Sequence, residues 1–170
     1  MIDAIELAES DPGWAAAFAE ECARVGAALG EALVAIHHIG STAVPGLLAK
    51  PVIDIAIEAA SLEAIDAAIP AMTAIGYAAK GENGIAGRRY FVKRNAAGAR
   101  SHHVHVFETG AQQVVRHIVF RDHLIAHPEI AAEYAALKRA IVAGGAARRS
   151  DYVAAKEVYI ARLVDSALSQ

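Results

Sequence analysis

Several features that often reveal a protein's class are scarce in this chain of 170 residues. Its single cysteine, Cys22, excludes a disulfide within the chain and favours a reducing compartment. No apolar run reaches about 18 residues, the length that a membrane-spanning helix needs, and the N-terminus lacks the basic start and apolar run of a secretory signal. We therefore expect a soluble cytoplasmic protein with no membrane partner.

A surplus of positive charge is also absent. The chain has 16 lysines and arginines against 19 aspartates and glutamates, so its net charge is −3 at pH 7. The basic residues are scattered and form no basic tail. Since binding to nucleic acid depends on concentrated positive charge, we expect no nucleic-acid partner. The oligomeric state stays open.

What is present is the composition of a globular chain. Hydrophobic residues make up 55% of the sequence and charged residues 21%, far from the composition of disordered segments. A length of 170 residues suits one hydrophobic core. We predict a single domain over residues 1–170.

The order of patterns predicts an α+β fold. Apolar residues at steps of three and four from Trp14 to Leu33 indicate a long first helix. Alternation and turn signals then predict short strands over 35–39, 52–59, 75–79, 88–94 and 101–107, one helix from Leu62 to Met72, and three helices after residue 111. We expect a small mixed sheet packed with an N-terminal helix, one inserted helix and a C-terminal helical group.

The most specific stretch is a Gly-Ser turn that precedes a strand bearing an aspartate. Backbone N–H groups at Gly40 and Ser41, with the Ser41 and Thr42 hydroxyls, could hold phosphate oxygens. Asp54 could hold a cation that neutralises them, and Lys50 could offset further phosphate charge. The alternatives are an ordinary turn at a strand end and a solvated loop lysine.

Two histidines on a later strand suggest a metal ligand set. His103 and His105 are two residues apart, so their side chains point to the same face. If this strand lies beside the Asp54 strand, the three side chains could surround one divalent ion, and we predict them as both metal ligands and catalytic residues together with Lys50. The alternative is a histidine pair on a solvated face.

Arg88 and Arg89 offer a guanidinium group that suits phosphate. Only one of the two can face a cleft from a strand, and the parity of the pattern does not separate them because the start of the strand is uncertain. Arg89 is taken here as the candidate phosphate ligand.

The run His38-Ile39-Gly40-Ser41-Thr42-Ala43-Val44-Pro45-Gly46-Leu47, followed by Lys50-Pro51 and Ile53-Asp54-Ile55, resembles the GrpB family. Further matches are His103-Val104-His105, Phe120-Arg121-Asp122, His127-Pro128, Tyr134 with Leu137-Lys138, and Tyr152 with Lys156, so the similarity covers nearly the whole chain. By resemblance this family falls in the DNA polymerase beta-like nucleotidyltransferase superfamily. The resemblance implies a nucleotidyltransferase-type sheet, a phosphate-binding Gly-Ser turn and a divalent ion.

The chain departs from that superfamily at one position. Its members pair two carboxylates as Asp-x-Asp or Asp-x-Glu, whereas here Ala56 follows Asp54, and Glu58 lies roughly 6 to 7 Å further along the strand. We therefore expect one Mg, Mn or Zn ion at Asp54, His103 and His105. The implied function is metal-dependent nucleotidyl transfer from a nucleotide, with a nucleoside triphosphate possible, or another phosphorylated small molecule.

Two alternative functions stay open. A site with one metal, two histidines and one aspartate suits hydrolysis of a phosphoester or another bond. The domain could also bind a nucleotide or a coenzyme A precursor without catalysis, since relatives of this domain occur fused to dephospho-CoA kinase.

Overall fold

The computed structural model describes residues 5–145 and 149–170. The first helix, α1 (Gly13–Leu29), begins where the Asp11 carboxylate accepts a hydrogen bond from the Gly13 N–H at 2.8 Å. Its apolar stripe buries Trp14, Val25 and Leu29 against the sheet. The long first helix predicted from that stripe is confirmed up to Leu29, whereas Leu33, the last residue of the predicted stripe, begins the first strand.

The sheet is mixed, as predicted. Its strands are β1 (Leu33–Ile39), β2 (Ile53–Ala59), β3 (Tyr77–Ala79), β4 (Arg89–Arg94) and β5 (Arg100–Glu108). They lie in the order β1-β2-β5-β4-β3, in which β2 and β5 are parallel and the other neighbours are antiparallel. The strand with the aspartate is therefore the direct neighbour of the strand with the two histidines.

The inserted segment is two short helices, α2 (Leu62–Ala67) and α3 (Ile69–Ala74), and the prediction of one helix is wrong. Pro70 explains the break, because a proline has no N–H to donate and its ring clashes with the carbonyl four residues earlier in a continuous helix. The start of α2 is capped by the Ser61 hydroxyl, which accepts from the Ala64 N–H at 3.1 Å.

The C-terminal group contains the three predicted helices, α4 (Gln112–Ala126), α5 (Pro128–Ala143) and α6 (Arg149–Leu168). Pro128 opens α5, a position where its missing N–H costs nothing. Among the described residues, no helix combines the length and the apolar character needed to cross a membrane.

The two faces of the sheet have different partners. On one, called here the helix face, Ile55, Phe91 and Val104 form a core with α1 and the inserted helices. On the other, the cleft face, Asp54 and His103 point away from that core, as strand alternation requires. A second core joins the loop after β1 to α4, α5 and α6, and includes Val44, Leu48, Phe120, Leu124 and Tyr134. The predicted α+β class is confirmed.

Candidate functional site

A cleft of about 650 Å³ lies between the cleft face, the turn after β1, the 81–87 loop and helices α4 to α6. Five predicted residues line it together: Gly40, Ser41, Asp54, His103 and His105. Lys50 and Thr42 also line it, whereas Arg89 does not. The structure therefore brings most of the predicted site into one cavity.

Asp54 lies at the centre of a cluster with both histidines. Parallel pairing places Asp54 opposite His103, and Ala56 opposite His105. His103 Nδ1 lies 3.1 Å from Asp54 Oδ1, and His105 Nε2 lies 3.6 Å from the same oxygen. The small Ala56 side chain lies beside His105 at the position where the superfamily pattern has its second carboxylate.

The cluster favours the ionised form of Asp54. Burial alone would raise the pKa of this carboxyl, but hydrogen bonds from His103 and His105 outweigh burial and hold the pKa well below its usual value. Arg88 Nη1 lies 3.3 Å from His105 Nδ1, and an arginine can only donate. In that bond His105 Nδ1 is the acceptor, so a neutral His105 carries its proton on Nε2, towards Asp54.

The donor types of this cluster fit a divalent transition metal, which imidazole and carboxylate bind readily. In the part of the chain that the structure describes, however, no group of three or more His, Cys, Asp or Glu side chains has the arrangement of a metal site. An ion on His105 Nε2 would require the proton to sit on Nδ1, which excludes the present bond from Arg88. Ion binding and that hydrogen bond are therefore alternatives.

The turn after β1 depends on Gly40. This residue has φ +74°, a region that favours glycine, and a Cβ added there would lie 2.9 Å from Asp54 Oδ2. The chain then forms a 3₁₀ turn over Ser41–Ala43, in which the Ala43 N–H donates to the Gly40 carbonyl at 3.1 Å. Glycine thus lets the turn pass directly over the carboxylate.

The Ser41 hydroxyl contacts a buried lysine from a distant helix. Lys138 Nζ donates to Ser41 Oγ at 3.0 Å and also to the Leu48 carbonyl, and it lies 4.6 Å from the centre of the Tyr134 ring. Lys138 is only 1% exposed. Burial, followed by the nearby charges of Lys156 and Arg139, lowers its pKa to about 7.

The Thr42 hydroxyl is used inside the turn. It lies 3.0 Å from His38 Nε2 and donates to the Val52 carbonyl at 3.4 Å, while the residue is 8% exposed. His38 stacks on Phe18, with ring centroids 4.6 Å apart. A phosphate bond from this hydroxyl would have to replace these contacts, so Thr42 holds the turn in its present shape.

Arg88, and not Arg89, faces the cleft, which corrects the choice made from the sequence. Arg89 lies on the helix face and donates to both carboxylate oxygens of Asp66, at 2.6 and 2.9 Å. β4 begins at Arg89, so the side chain before it points the other way. Arg88 is 6% exposed, and its guanidinium donates to the Glu82 and Asn83 carbonyls at 3.1 and 2.8 Å.

Lys50 contributes to the cleft through an aromatic neighbour. Its Nζ lies 5.4 Å from the centre of the Tyr152 ring, and Lys156 Nζ lies 4.5 Å from the same ring. Tyr152 is 1% exposed, and burial raises its pKa to about 12, so it stays neutral. Two lysines from different elements thus approach one aromatic ring at the wall of the cleft.

Sequence reasoning considered Arg88 but selected Arg89 in its place, and it missed Lys138 and His117 as site residues. His117, on α4, lines the cleft with its ring centroid 5.6 Å from that of His105. Burial lowers its pKa to about 4, so the ring is neutral at pH 7. One signal did exist for Lys138, which follows Tyr134 by four residues and therefore shares its helix face.

Positive charge dominates the cleft. Among its described lining residues, the lysines and arginines are Lys50, Arg88, Arg116, Lys138 and Lys156, and the carboxylates are Asp54 and Glu157. Arg116 pairs with Asp165 at 2.8 Å. The two most buried cations, Arg88 and Lys138, are instead held by carbonyl, hydroxyl and imidazole groups. The arrangement can therefore accept an anion.

Comparison with known proteins gives a consistent answer. The sequence matches the GrpB protein family over residues 4–166. The UPF0157 protein YqkA of Bacillus subtilis is 46% identical over 156 residues, which cover 92% of this chain and 45% of that protein. A dephospho-CoA kinase of Mycolicibacterium paratuberculosis is 33% identical over 181 aligned residues, which cover 90% of this chain and 43% of that protein. The chain thus spans less than half the length of either relative.

The fold agrees with the sequence match. The crystal structure of the conserved protein GrpB from Enterococcus faecalis superposes with a TM-score of 0.89 at 34% identity, covering 96% of this chain and 98% of that one. The chain therefore belongs to the GrpB family.

Proposed function

We propose that the cleft binds a nucleotide or another phosphorylated small molecule and that the protein, with a divalent metal ion, transfers a nucleotidyl group from a nucleoside triphosphate to an acceptor hydroxyl, with pyrophosphate as the leaving group. One observation supports binding of a phosphate group. Two buried basic side chains, Arg88 and Lys138, face the same cleft and donate hydrogen bonds to uncharged groups. A buried cation is costly without an opposite charge. A phosphate group in the cleft would supply that charge.

The turn at Gly40 and Ser41 would hold part of the phosphate chain. Ser41 has a hydroxyl that lines the cleft and can donate to a phosphate oxygen, while Lys138 occupies one of its lone pairs. Lys50 and Arg88 approach the same cavity from other elements. Arginine suits phosphate because its planar fork donates two parallel hydrogen bonds.

Asp54, His103 and His105 would hold the ion. When bound, a divalent ion polarises a phosphoryl oxygen and offsets the negative charge that develops during transfer. Resemblance of the GrpB family to the polymerase beta-like superfamily supports nucleotidyl transfer as the reaction. Ala56 argues for one ion and not two, and Glu58 cannot replace the lost carboxylate because it pairs with His37 at 2.9 Å.

The test combines binding, turnover and metal content. We would titrate ATP by calorimetry with Mg²⁺, Mn²⁺ or Zn²⁺, measure pyrophosphate release and identify the adenylyl product. Asp54→Asn should keep ATP binding but reduce pyrophosphate release to background, since it removes the carboxylate and leaves the cleft cations. Glu58→Gln is the matched control on the same strand and should behave as the unchanged protein.

The outcomes separate the candidate reactions. Release of pyrophosphate with an adenylylated acceptor supports transfer, whereas AMP or ADP as the sole nucleotide product indicates the one-metal hydrolase alternative. Failure to bind any phosphorylated compound would falsify the proposed site. Equal turnover by the Asp54 variant and the unchanged protein would remove the assigned role of Asp54.

A second candidate is a non-catalytic module that binds nucleotides or coenzyme A precursors. The similarity to part of a dephospho-CoA kinase favours it, as does the single carboxylate at the ion site. In that case dephospho-CoA should bind in the cleft, no product should form with any of the three ions, and Asp54→Asn should leave binding intact. The two candidates share the cleft and the same expected binding by the Asp54 variant, and they differ in whether the unchanged protein forms any product.

A further inference from the structure

The buried lysine of the cleft has no negative partner among the described residues. None of the ion pairs in that part of the chain includes Lys138. Its Nζ donates instead to the Ser41 hydroxyl, 97 residues away in the sequence, and to the Leu48 carbonyl. Lysines are almost never fully buried unless they are paired. The position therefore requires a reason beyond packing.

The partners of Lys138 connect it to the proposed phosphate turn. A hydroxyl oxygen that accepts from a lysine keeps its own proton for another acceptor. With Lys138 and Tyr134 both beside Ser41 Oγ, a group in the cleft that accepts the Ser41 proton would take the place of Tyr134. The helix thus orients a hydroxyl at the turn without exposing the ammonium group itself.

We propose that Lys138 is a positioning residue for anion binding: it orients the Ser41 hydroxyl and becomes protonated as an anion enters the cleft. This inference rests on the proposed phosphate site. Without ligand, burial and the charges of Lys156 and Arg139 disfavour the ammonium form and hold the pKa of Lys138 near 7. A dianion beside Ser41 opposes both effects. Binding of the anion and uptake of a proton by Lys138 are then one coupled event.

Other titratable groups face the same region and have to be separated from Lys138. Tyr134 on its own helix and Tyr152 on α6 both stay neutral, because burial raises their pKa values. Lys50, Lys156 and Arg139 are positively charged neighbours. The cleft also contains three histidines close to the proposed ligand, namely His103, His105 and His117. A variant with a permanent charge at position 138 isolates the contribution of Lys138.

The test uses sulfate, a tetrahedral dianion that gains no proton near neutral pH, and ATP as a second probe. Binding is followed by the backbone amide resonances of Gly40 and Ser41 from pH 6 to pH 9 at constant ionic strength. If the anion raises the pKa of Lys138 by about one unit, sulfate affinity falls about tenfold as pH rises from below 7 to above 8. Lys138→Arg should remove this fall and keep binding at high pH.

Lys138→Met provides a second variant of similar length, in case arginine does not fit. It should fold, bind sulfate at least about tenfold more weakly at pH 6, and show no coupled fall in affinity above pH 7. In calorimetry with two buffers of different ionisation enthalpy, proton uptake on ATP binding at pH 8 should disappear in this variant. A residue that only supports the structure would not change proton uptake.

Two results overturn the inference in different ways. If the unchanged protein binds sulfate or ATP at the turn, but Lys138→Met binds equally well with the same pH profile, the positioning role is wrong and the phosphate site stands. If neither probe shifts the turn amides of the unchanged protein, both the inference and the phosphate site are wrong.

Discussion

On the helix face of the sheet Lys93 donates to the Glu21 carboxylate at 2.8 Å, whereas beside the cleft Lys138 donates to a serine hydroxyl and a backbone carbonyl. His102 lies 3.9 Å from the same glutamate. Burial raises the pKa of Glu21, but the bonds and charges of its partners outweigh burial and lower it overall. The buried charges on the helix face thus neutralise one another.

The contrast separates structural from functional cations. When a buried cation is paired with a carboxylate, its charge is already balanced without a ligand. Substitution of such a cation is therefore expected to lower the stability of the protein. A buried basic side chain with only neutral partners has no negative charge to balance its ionised form, and a bound anion can supply that charge. Arg89 and Arg88 repeat the contrast at neighbouring positions, since Arg89 pairs with Asp66 on the helix face while Arg88 donates to carbonyls at the cleft.

The largest loss of stability is expected when the ion pair between Glu21 and Lys93 on the helix face is removed. Glu21→Gln leaves Lys93 largely buried without a negative partner, and removal of one member of a buried pair costs about 3 kcal/mol. Urea denaturation at pH 7 measures the free energy of unfolding. Glu20→Gln, on the exposed side of the same helix, should change it by less than about 0.5 kcal/mol. A loss below about 1 kcal/mol for Glu21→Gln would contradict the assigned pairing.

Beside the cleft, we expect the free energy of unfolding to depend on pH through Lys138. Unfolded, Lys138 keeps its proton to about pH 10.5, whereas in the folded state it loses the proton near pH 7. Between these values the unfolded state binds more protons, so this lysine makes the free energy of unfolding rise with pH. Relative to Lys138→Met, the unchanged protein should gain about 2 kcal/mol between pH 7 and pH 9.

Urea denaturation of both proteins at the two pH values measures this difference, and groups common to both cancel. If the free energies of unfolding of the two proteins change equally between pH 7 and pH 9, Lys138 is charged over this whole range. The proposed difference between Lys138 and the paired Lys93 would then be wrong. The Met variant should also unfold cooperatively, since it replaces an amine whose burial is costly.

Sequence patterns predicted the strand residues of the cleft better than its other parts. Alternation within each strand is enough to place Asp54 on the face opposite Ile53 and Ile55, and to place His103 and His105 on the same face as each other. That the two strands are neighbours followed from the family resemblance and not from alternation. Strand residues are predictable because the backbone determines which way each side chain points.

Arg88 and Lys138 show where that reasoning stops. A shift of one residue in the register of β4 exchanges the faces of Arg88 and Arg89, and sequence patterns do not determine this register. The contact between Lys138 and Ser41 joins positions 97 residues apart and depends on how α5 packs on the turn. A lysine on a helix normally indicates an exposed face, and only its spacing from Tyr134 indicated otherwise.

A smaller loss of stability is expected from a substitution at Gly40, where the turn passes over Asp54. Both Gly40 and Gly46 have positive φ, at +74° and +79°, but an added Cβ meets the Asp54 carboxylate only at position 40. Gly40→Ala should therefore destabilise the protein by about 1 kcal/mol more than Gly46→Ala, as measured by urea denaturation. Equal losses would mean that backbone strain alone determines the effect, and that the close approach to the carboxylate contributes nothing.

The smallest effect on stability is expected from Arg89, whose partner Asp66 is partly exposed. Arg89→Ala should cost at most about 1 kcal/mol in urea denaturation and leave ATP affinity unchanged, because the ion pair lies on the helix face. Arg88→Met is the matched change at the cleft, and it should weaken ATP binding because it removes a buried cation. If the Arg89 variant binds ATP as weakly as the Arg88 variant, the division of basic side chains between the two faces is wrong. If only the Arg88 variant loses ATP affinity, a shift of one residue along the strand separates an arginine that stabilises the fold from one that binds the ligand.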